Sequence, residues 1–288
     1  MLKEWPLVAF TLLGQMALGV FLCFHVPFLV HGRVPSYGWR AAWLIILAVT
    51  VALMALAALV SFFHLRHPIR ARHVLSNLRS SWLSREILFE LVFTAILVLA
   101  AWLAWVRSPA RTLLWGLLIT ACLAGGLFLL SMAKLYMLPS MPVWRGAYTP
   151  VSFALTTLVT GAIATELIVR GAVGPGSLDV DLPVLSLGLV IVEILLATLA
   201  APRHGLRGVR PGPSLRPVDE SPRRCHRARI VLLGAGLVLI GTEISTGAND
   251  IMKERGLSPA LLLAFALILA GETAGRFHFY GLAAKPGD

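Results

Sequence analysis

A chain of 288 residues that is 58% hydrophobic and only 14% charged, with a mean hydropathy of +0.82, has too little charge to coat a water-facing surface; soluble domains carry about a quarter charged residues. This composition excludes most soluble enzymes and any disordered protein, and points to an integral membrane protein. Against the apolar bulk stands a formal charge of +11, from 25 Lys and Arg and 14 Asp and Glu.

A helix needs roughly 20 apolar residues to cross a ~30 Å hydrocarbon core. In sequence order such runs fall at about 5–30, 40–63, 84–106, 111–134, 148–170, 182–201, 229–247 and 258–280. They are too long and continuous for the ~10-residue alternating strands of an outer-membrane barrel. Without water, each backbone amide must be satisfied within its own segment. The expected fold is all-α: a single integral membrane domain over residues 1–288, built as a bundle of eight transmembrane helices. The first run extends too far for a removable signal peptide, and the Pro27 inside it is tolerated in a membrane helix. Connections are short except at about 64–83 and 202–228, the latter rich in Pro, Gly and Arg, and no internal repeat is evident. Trp5, Trp39, Trp82 and Trp144 lie near span ends, where tryptophan anchors helices at the interface.

Eight spans put both termini on one side, together with the loops between helices 2 and 3, 4 and 5, and 6 and 7. That side collects 18 of the 25 basic residues, so the positive-inside rule places it in the cytoplasm. Loop 2–3 contributes Arg66, Arg70, Arg72, Arg79 and Arg85. Loop 6–7 contributes eight arginines, from Arg203 to Arg229, against Asp219 and Glu220. Such a loop sets topology and attracts anionic lipid, or docks an acidic partner. Nucleic-acid binding is not expected, since interleaved aromatics and a binding fold are missing.

Several chemistries lack their residues. Cys23, Cys122 and Cys225 are scattered, whereas an iron–sulfur cluster takes about four thiolates at set spacings. No C-x-x-C-H haem signature is present, and a b-type haem would have only His25 and His278 within helices. No haem is therefore expected. Phosphate-loop, serine-hydrolase and zinc-protease motifs are also absent.

Titratable groups inside spans are costly and are functional candidates, and the densest set flanks loop 2–3. His64 closes the second span and Glu86 opens the third, so both are expected at similar depth near one interface, with Ser84 able to cap the third helix. An imidazole that exchanges protons near pH 6.5, beside a carboxylate, suits quinone chemistry, in which two electrons are coupled to two protons. The competing reading has His64 completing its helix end and Glu86 paired with Arg85 or Arg70. Glu90, one turn further, either extends a proton path or bonds a neighbouring helix. Glu193, mid-span without a local partner, has the same two options. Glu272 and Arg276, four residues apart on the last helix, are expected to pair.

Five motifs in order then carry a family resemblance: Glu4-Trp5-Pro6-Leu7 with Phe10-Thr11 and Gly14-Gln15; His64-Leu65, Pro68 and Arg70-Ala71; Ser84, Glu86 and Ile87; Tyr136 through Pro142, Trp144 and Thr149-Pro150; and Gly271-Glu272, Gly275-Arg276 and Phe279-Tyr280-Gly281-Leu282. Across nearly its whole length the sequence resembles the membrane-anchor family of dimethyl sulfoxide reductase. The resemblance implies an eight-helix, haem-free subunit that reacts with quinone or quinol, menaquinone or ubiquinone. It also implies two partners: a four-cluster iron–sulfur subunit and a molybdopterin catalytic subunit. His64 and Glu86 correspond to the family's functional pair, with Arg70, Ser84 and Glu90 around the headgroup and Arg66, Arg72 and Arg79 facing the docking partner. Arg66 stands where relatives often have a small residue. The arginine-rich stretches are similar to anchors of sulfite-oxidising relatives, which leaves open whether quinol is oxidised or quinone reduced. A structural anchor without quinone and a secondary transporter are the alternatives from other classes.

Overall fold

The computed structural model describes residues 5–31, 39–62, 75–106, 111–137, 144–173, 178, 180–207, 221–247 and 258–282. These form eight helices: α1 (Trp5–Val30), α2 (Arg40–Phe62), α3 (Trp82–Trp105), α4 (Arg111–Tyr136), α5 (Tyr148–Ala172), α6 (Leu182–Arg207), α7 (Ser221–Gly247) and α8 (Pro259–Gly281). All eight contain a stretch long and apolar enough to span a membrane, so the protein is a polytopic helical bundle. Among the described residues there is no strand.

Six helices match the expected spans to within two residues, and the other two differ. α6 continues to Arg207 and α7 begins at Ser221, so several arginines assigned to loop 6–7 belong to helix ends. Arginine is a good helix former, and Pro222, second in α7, loses nothing there because the first amides lack intrahelical acceptors anyway. A helix stops where its backbone finds other partners, not where its side groups cease to be apolar. The caps make the same point. Ser81, not Ser84, caps α3 by accepting from the Ser84 amide, and Ser258 caps α8 ahead of Pro259.

Each half of the sequence closes a ring of four helices, α1–α4 and α5–α8, and the halves meet chiefly where α1 packs on α5. These two helices are interior: 78% of the most apolar stretch of each is buried, against 28–39% for the other six. The contact depends on two glycines. A Cβ on Gly19 would lie 1.9 Å from the Thr157 carbonyl oxygen, and one on Gly161 would lie 2.2 Å from the Gly19 carbonyl carbon. Close backbone approach through small residues is how membrane helices gain van der Waals contact when water supplies no driving force. The Thr165 hydroxyl also donates to the Val20 carbonyl across this interface. The outer helices turn Leu91, Val98, Leu123, Val231 and Val238 outward, as a lipid-facing surface requires.

Two of the tryptophans expected at the interface also pack against neighbouring rings. Trp144 donates to the Phe279 carbonyl at 2.9 Å and stacks on that ring, and Trp39 packs on Phe24 and Phe28.

Gly161→Leu is expected to lower stability by more than about 3 kcal/mol, beyond ordinary overpacking, because the obstruction is backbone. Gly116→Leu, where a Cβ meets nothing within 4 Å, should leave thermal denaturation in detergent unchanged.

Candidate functional site

Odd-numbered helices begin, and even-numbered helices end, on the face where α1 starts. The end of α2 and the start of α3 therefore share this face, and the two helices pack together. Ser84 and Glu86 enter on the first turn and a half of α3 and Glu90 follows one turn deeper; all three are buried. Among the described residues neither carboxyl oxygen of Glu86, nor Oε1 of Glu90, has a hydrogen-bond partner. Arg85, the neighbour expected to neutralise Glu86, turns away. It donates to the Leu78 and Arg79 carbonyls at 2.8 and 2.7 Å and lies over the Trp82 ring. Arg79 is exposed on the same face. His64, Arg66, Arg70 and Arg72 lie outside the described residues, so the structure brings together Ser84, Glu86 and Glu90 and leaves the remainder of the expected set to the adjoining segment 63–74.

A second polar cluster occupies the same end of the bundle, in the α5–α8 half. Arg229 of α7 donates to Glu193 Oε1 of α6 at 2.6 Å and reaches Glu272 Oε2 of α8 at 3.5 Å. Glu272 also accepts from the Thr156 hydroxyl of α5 at 2.7 Å. Arg276, expected to pair with Glu272, instead donates to Gln15 Oε1 of α1 at 2.6 Å and to Thr156 Oγ1 at 3.2 Å, and its guanidinium lies over the Phe153 ring. Thr156 thus stands between the two groups that spacing alone would join. Two carboxylates and two guanidiniums balance in charge, the condition for keeping ions away from water. Glu193 has the partner that its own helix could not offer. Arg229, counted as a loop cation from sequence, is only 4% exposed.

A cleft beside this cluster is lined by Tyr148, Thr156, Arg229, Glu272, Arg276 and His278, among others. On α7, His226 packs its ring on that of His278 at 5.0 Å. Nearer the protein interior, the Tyr280 hydroxyl lies 3.1 Å from that of Tyr136 and 3.4 Å from Thr11 Oγ1. Sequence reasoning missed Gln15, Thr156, Arg229 and the tyrosine pair. One signal was available: an unmatched acid inside one span and an arginine at the threshold of the next.

The opposite end of the bundle is organised separately. Arg170 bridges Glu166 and Glu243, and Glu243 accepts from Ser258. Trp43 donates to His25 Nε2 at 2.8 Å. Since indole only donates, His25 carries its proton on Nδ1 and gives it to the Phe21 carbonyl. His25 and His278 therefore sit at opposite ends of the bundle. Among the described residues no group of three or more His, Cys, Asp or Glu side chains could hold a metal ion.

The fold and this polar face define a multi-spanning helical membrane protein with buried ionisable clusters at both ends, the larger on the side where both halves begin. The family model described as the DMSO reductase anchor subunit (DmsC) matches residues 1–282, and the protein belongs to that family. It is 29% identical over 292 residues to the C subunit of the anaerobic dimethyl sulfoxide reductase of Escherichia coli (strain K12), covering 97% of this sequence and 94% of that protein. It is 30% identical over 308 residues to the anaerobic dimethyl sulfoxide reductase subunit YnfH of the same organism, with the same coverage. The C subunit of the Haemophilus influenzae enzyme is 33% identical over 161 residues, 56% of each sequence. No solved structure matches.

Arg229→Met strands Glu193 and Glu272 in the interior and is expected to cost about 3–5 kcal/mol. Adding Glu193→Gln to that variant should restore part of the loss, a non-additivity that denaturation of the single and double variants in detergent would measure. Strict additivity would contradict the network.

Proposed function

We propose that this membrane anchor is the quinone- and quinol-reactive subunit of a heterotrimeric molybdopterin oxidoreductase, exchanging electrons between the membrane quinone pool and an iron–sulfur partner. Family membership supports the complex, and the anaerobic reductase names of its relatives support quinol oxidation as the working direction. The observation that carries the site is Glu86: a carboxyl one turn inside α3, buried, with both oxygens unpartnered, on the face to which α2 delivers the segment bearing His64. Burying a carboxyl without a partner is costly, so its place there is better explained by a substrate hydroxyl or a transferred proton than by helix packing.

In this reading the two hydroxyls of a quinol headgroup bond His64 and Glu86. Oxidation breaks two O–H bonds, His64 and Glu86 receive the two protons, and two electrons leave to the iron–sulfur subunit. Ser84 and Arg70 position the headgroup, while Arg66, Arg72 and Arg79 face the iron–sulfur partner. The molybdopterin and the clusters belong to the partner subunits. The excess of basic residues on this face orients it to the cytoplasm.

His64→Ala and Glu86→Gln are each expected to lower quinol-coupled turnover of the assembled complex roughly a hundred-fold or more, the usual scale for a lost proton acceptor. Turnover unchanged in both variants, with partners still co-purifying, would overturn the site.

A further inference from the structure

We propose that the arginine end of α7 is a binding site for an anionic phospholipid, whose headgroup phosphate is held by Arg223 and Arg227 on the lipid-facing side of the bundle. This goes beyond the quinone reading and does not rest on it.

The exposed residues of α7 form one stripe. Arg224, Arg227, Val231, Ala235, Val238 and Thr242 are exposed at intervals of three or four, the spacing of a single helix face. Arg223 is exposed too, one turn before Arg227. The other side of the helix, with Arg229, Leu233 and Ile240, is buried where α6 and α8 pack on it. Val231 and Val238 are 68% and 64% exposed, and apolar side chains as open as these are at home against acyl chains, which are equally apolar. The arginines continue that stripe by one to two turns. They therefore look sideways towards lipid, rather than along the helix axis towards an aqueous partner.

Depth and charge agree with that direction. The span in α7 runs over Arg223–Thr246, 24 residues, about 36 Å at the helical rise. That is one turn more than a ~30 Å hydrocarbon core accommodates. The surplus turn belongs at the arginine end, because a guanidinium in hydrocarbon is costly. Arg223 to Arg227 covers about 6 Å, close to the depth of one headgroup layer. Two guanidiniums one turn apart can fork onto phosphate oxygens, while their stems lie along the acyl chains. No acid stands in the first turn of α7, and the described acids at this end of the bundle, Glu86, Glu90, Glu193 and Glu272, are all buried. In sequence, seven arginines from Arg203 to Arg227 face only Asp219 and Glu220. Cations in the first turns of a helix also oppose its dipole, a cost that a phosphate beside them removes.

The full chain in a neutral detergent, titrated with phosphatidylglycerol or phosphatidylcholine and read by native mass spectrometry, tests this. Phosphatidylglycerol is expected to bind the more tightly. Arg223→Gln combined with Arg227→Gln should weaken it roughly thirty-fold, about five-fold for each arginine, whereas lysine at both positions should keep most of the affinity. Arg145→Gln removes an exposed cation ahead of the interior helix α5 and should change nothing. Equal binding of the two lipids, wild-type affinity in the double glutamine variant, or an equal loss in Arg145→Gln would each overturn the site. Inorganic phosphate that displaces the lipid at equal concentration would show an anion site indifferent to acyl chains and overturn the lipid assignment. In the assembled complex, loss of the co-purifying partner from the glutamine variant with lipid affinity intact would assign these arginines to protein docking instead.

Discussion

The close crossing of α1 and α5 is the constraint from which the rest of the bundle follows. Gly19 and Gly161 let two backbones meet where any side chain would collide with main-chain atoms. In lipid there is no water to drive helices together, so such contact must come from packing. Because the two helices approach this closely, Gln15 on α1 reaches Arg276 on α8, and Thr156 on α5 reaches both Arg276 and Glu272. The junction of the two four-helix halves is therefore also where their polar groups become one network.

That network accounts for how a membrane protein carries so many internal charges. Glu193, Arg229, Glu272 and Arg276 come from three helices and balance in charge; Thr156 bridges Glu272 and Arg276, and Gln15 accepts from Arg276. Glu86 and Glu90 of α3 differ on the same face. Among the described residues Glu86 has neither an ion partner nor a hydrogen bond to its carboxyl oxygens, although Arg85 stands next to it in sequence. Helix geometry explains the separation: adjacent residues diverge by about 100° around the axis, so Arg85 reaches back to the Leu78–Arg79 turn while Glu86 faces inward. In the α5–α8 half each charged group has at least one ion or hydrogen-bond partner, whereas neither carboxyl oxygen of Glu86 has one.

Much of this was legible in the residues. Eight apolar runs specified eight helices, and the order of five modest motifs specified the family. Structure and sequence pattern differ where residue spacing alone implies a partner. Glu272 and Arg276 are one turn apart, yet each bonds across helices. Arg229 borders an apolar run and reads from sequence as a loop arginine, but α7 begins eight residues earlier and carries it inside. Trp144, expected at the interface from its place near a span end, also stacks on Phe279. In each case a local rule competed with a partner that only packing supplies.

The division has a physical basis. Hydropathy and helix length act residue by residue and turn by turn, so composition and periodicity alone determined the fold class, the number of spans and the concentration of basic residues at one face. Partner choice among buried polar groups depends on which helices touch. Arg276 and Gln15 are 261 residues apart, Tyr280 and Tyr136 are 144 apart, and Arg229 and Glu193 are 36 apart. Those distances close only when the two halves pack at the Gly19–Gly161 crossing and the helices of each half pack on one another, and so the tertiary structure alone decided which ions neutralise one another and which carboxyl oxygens remain unpaired.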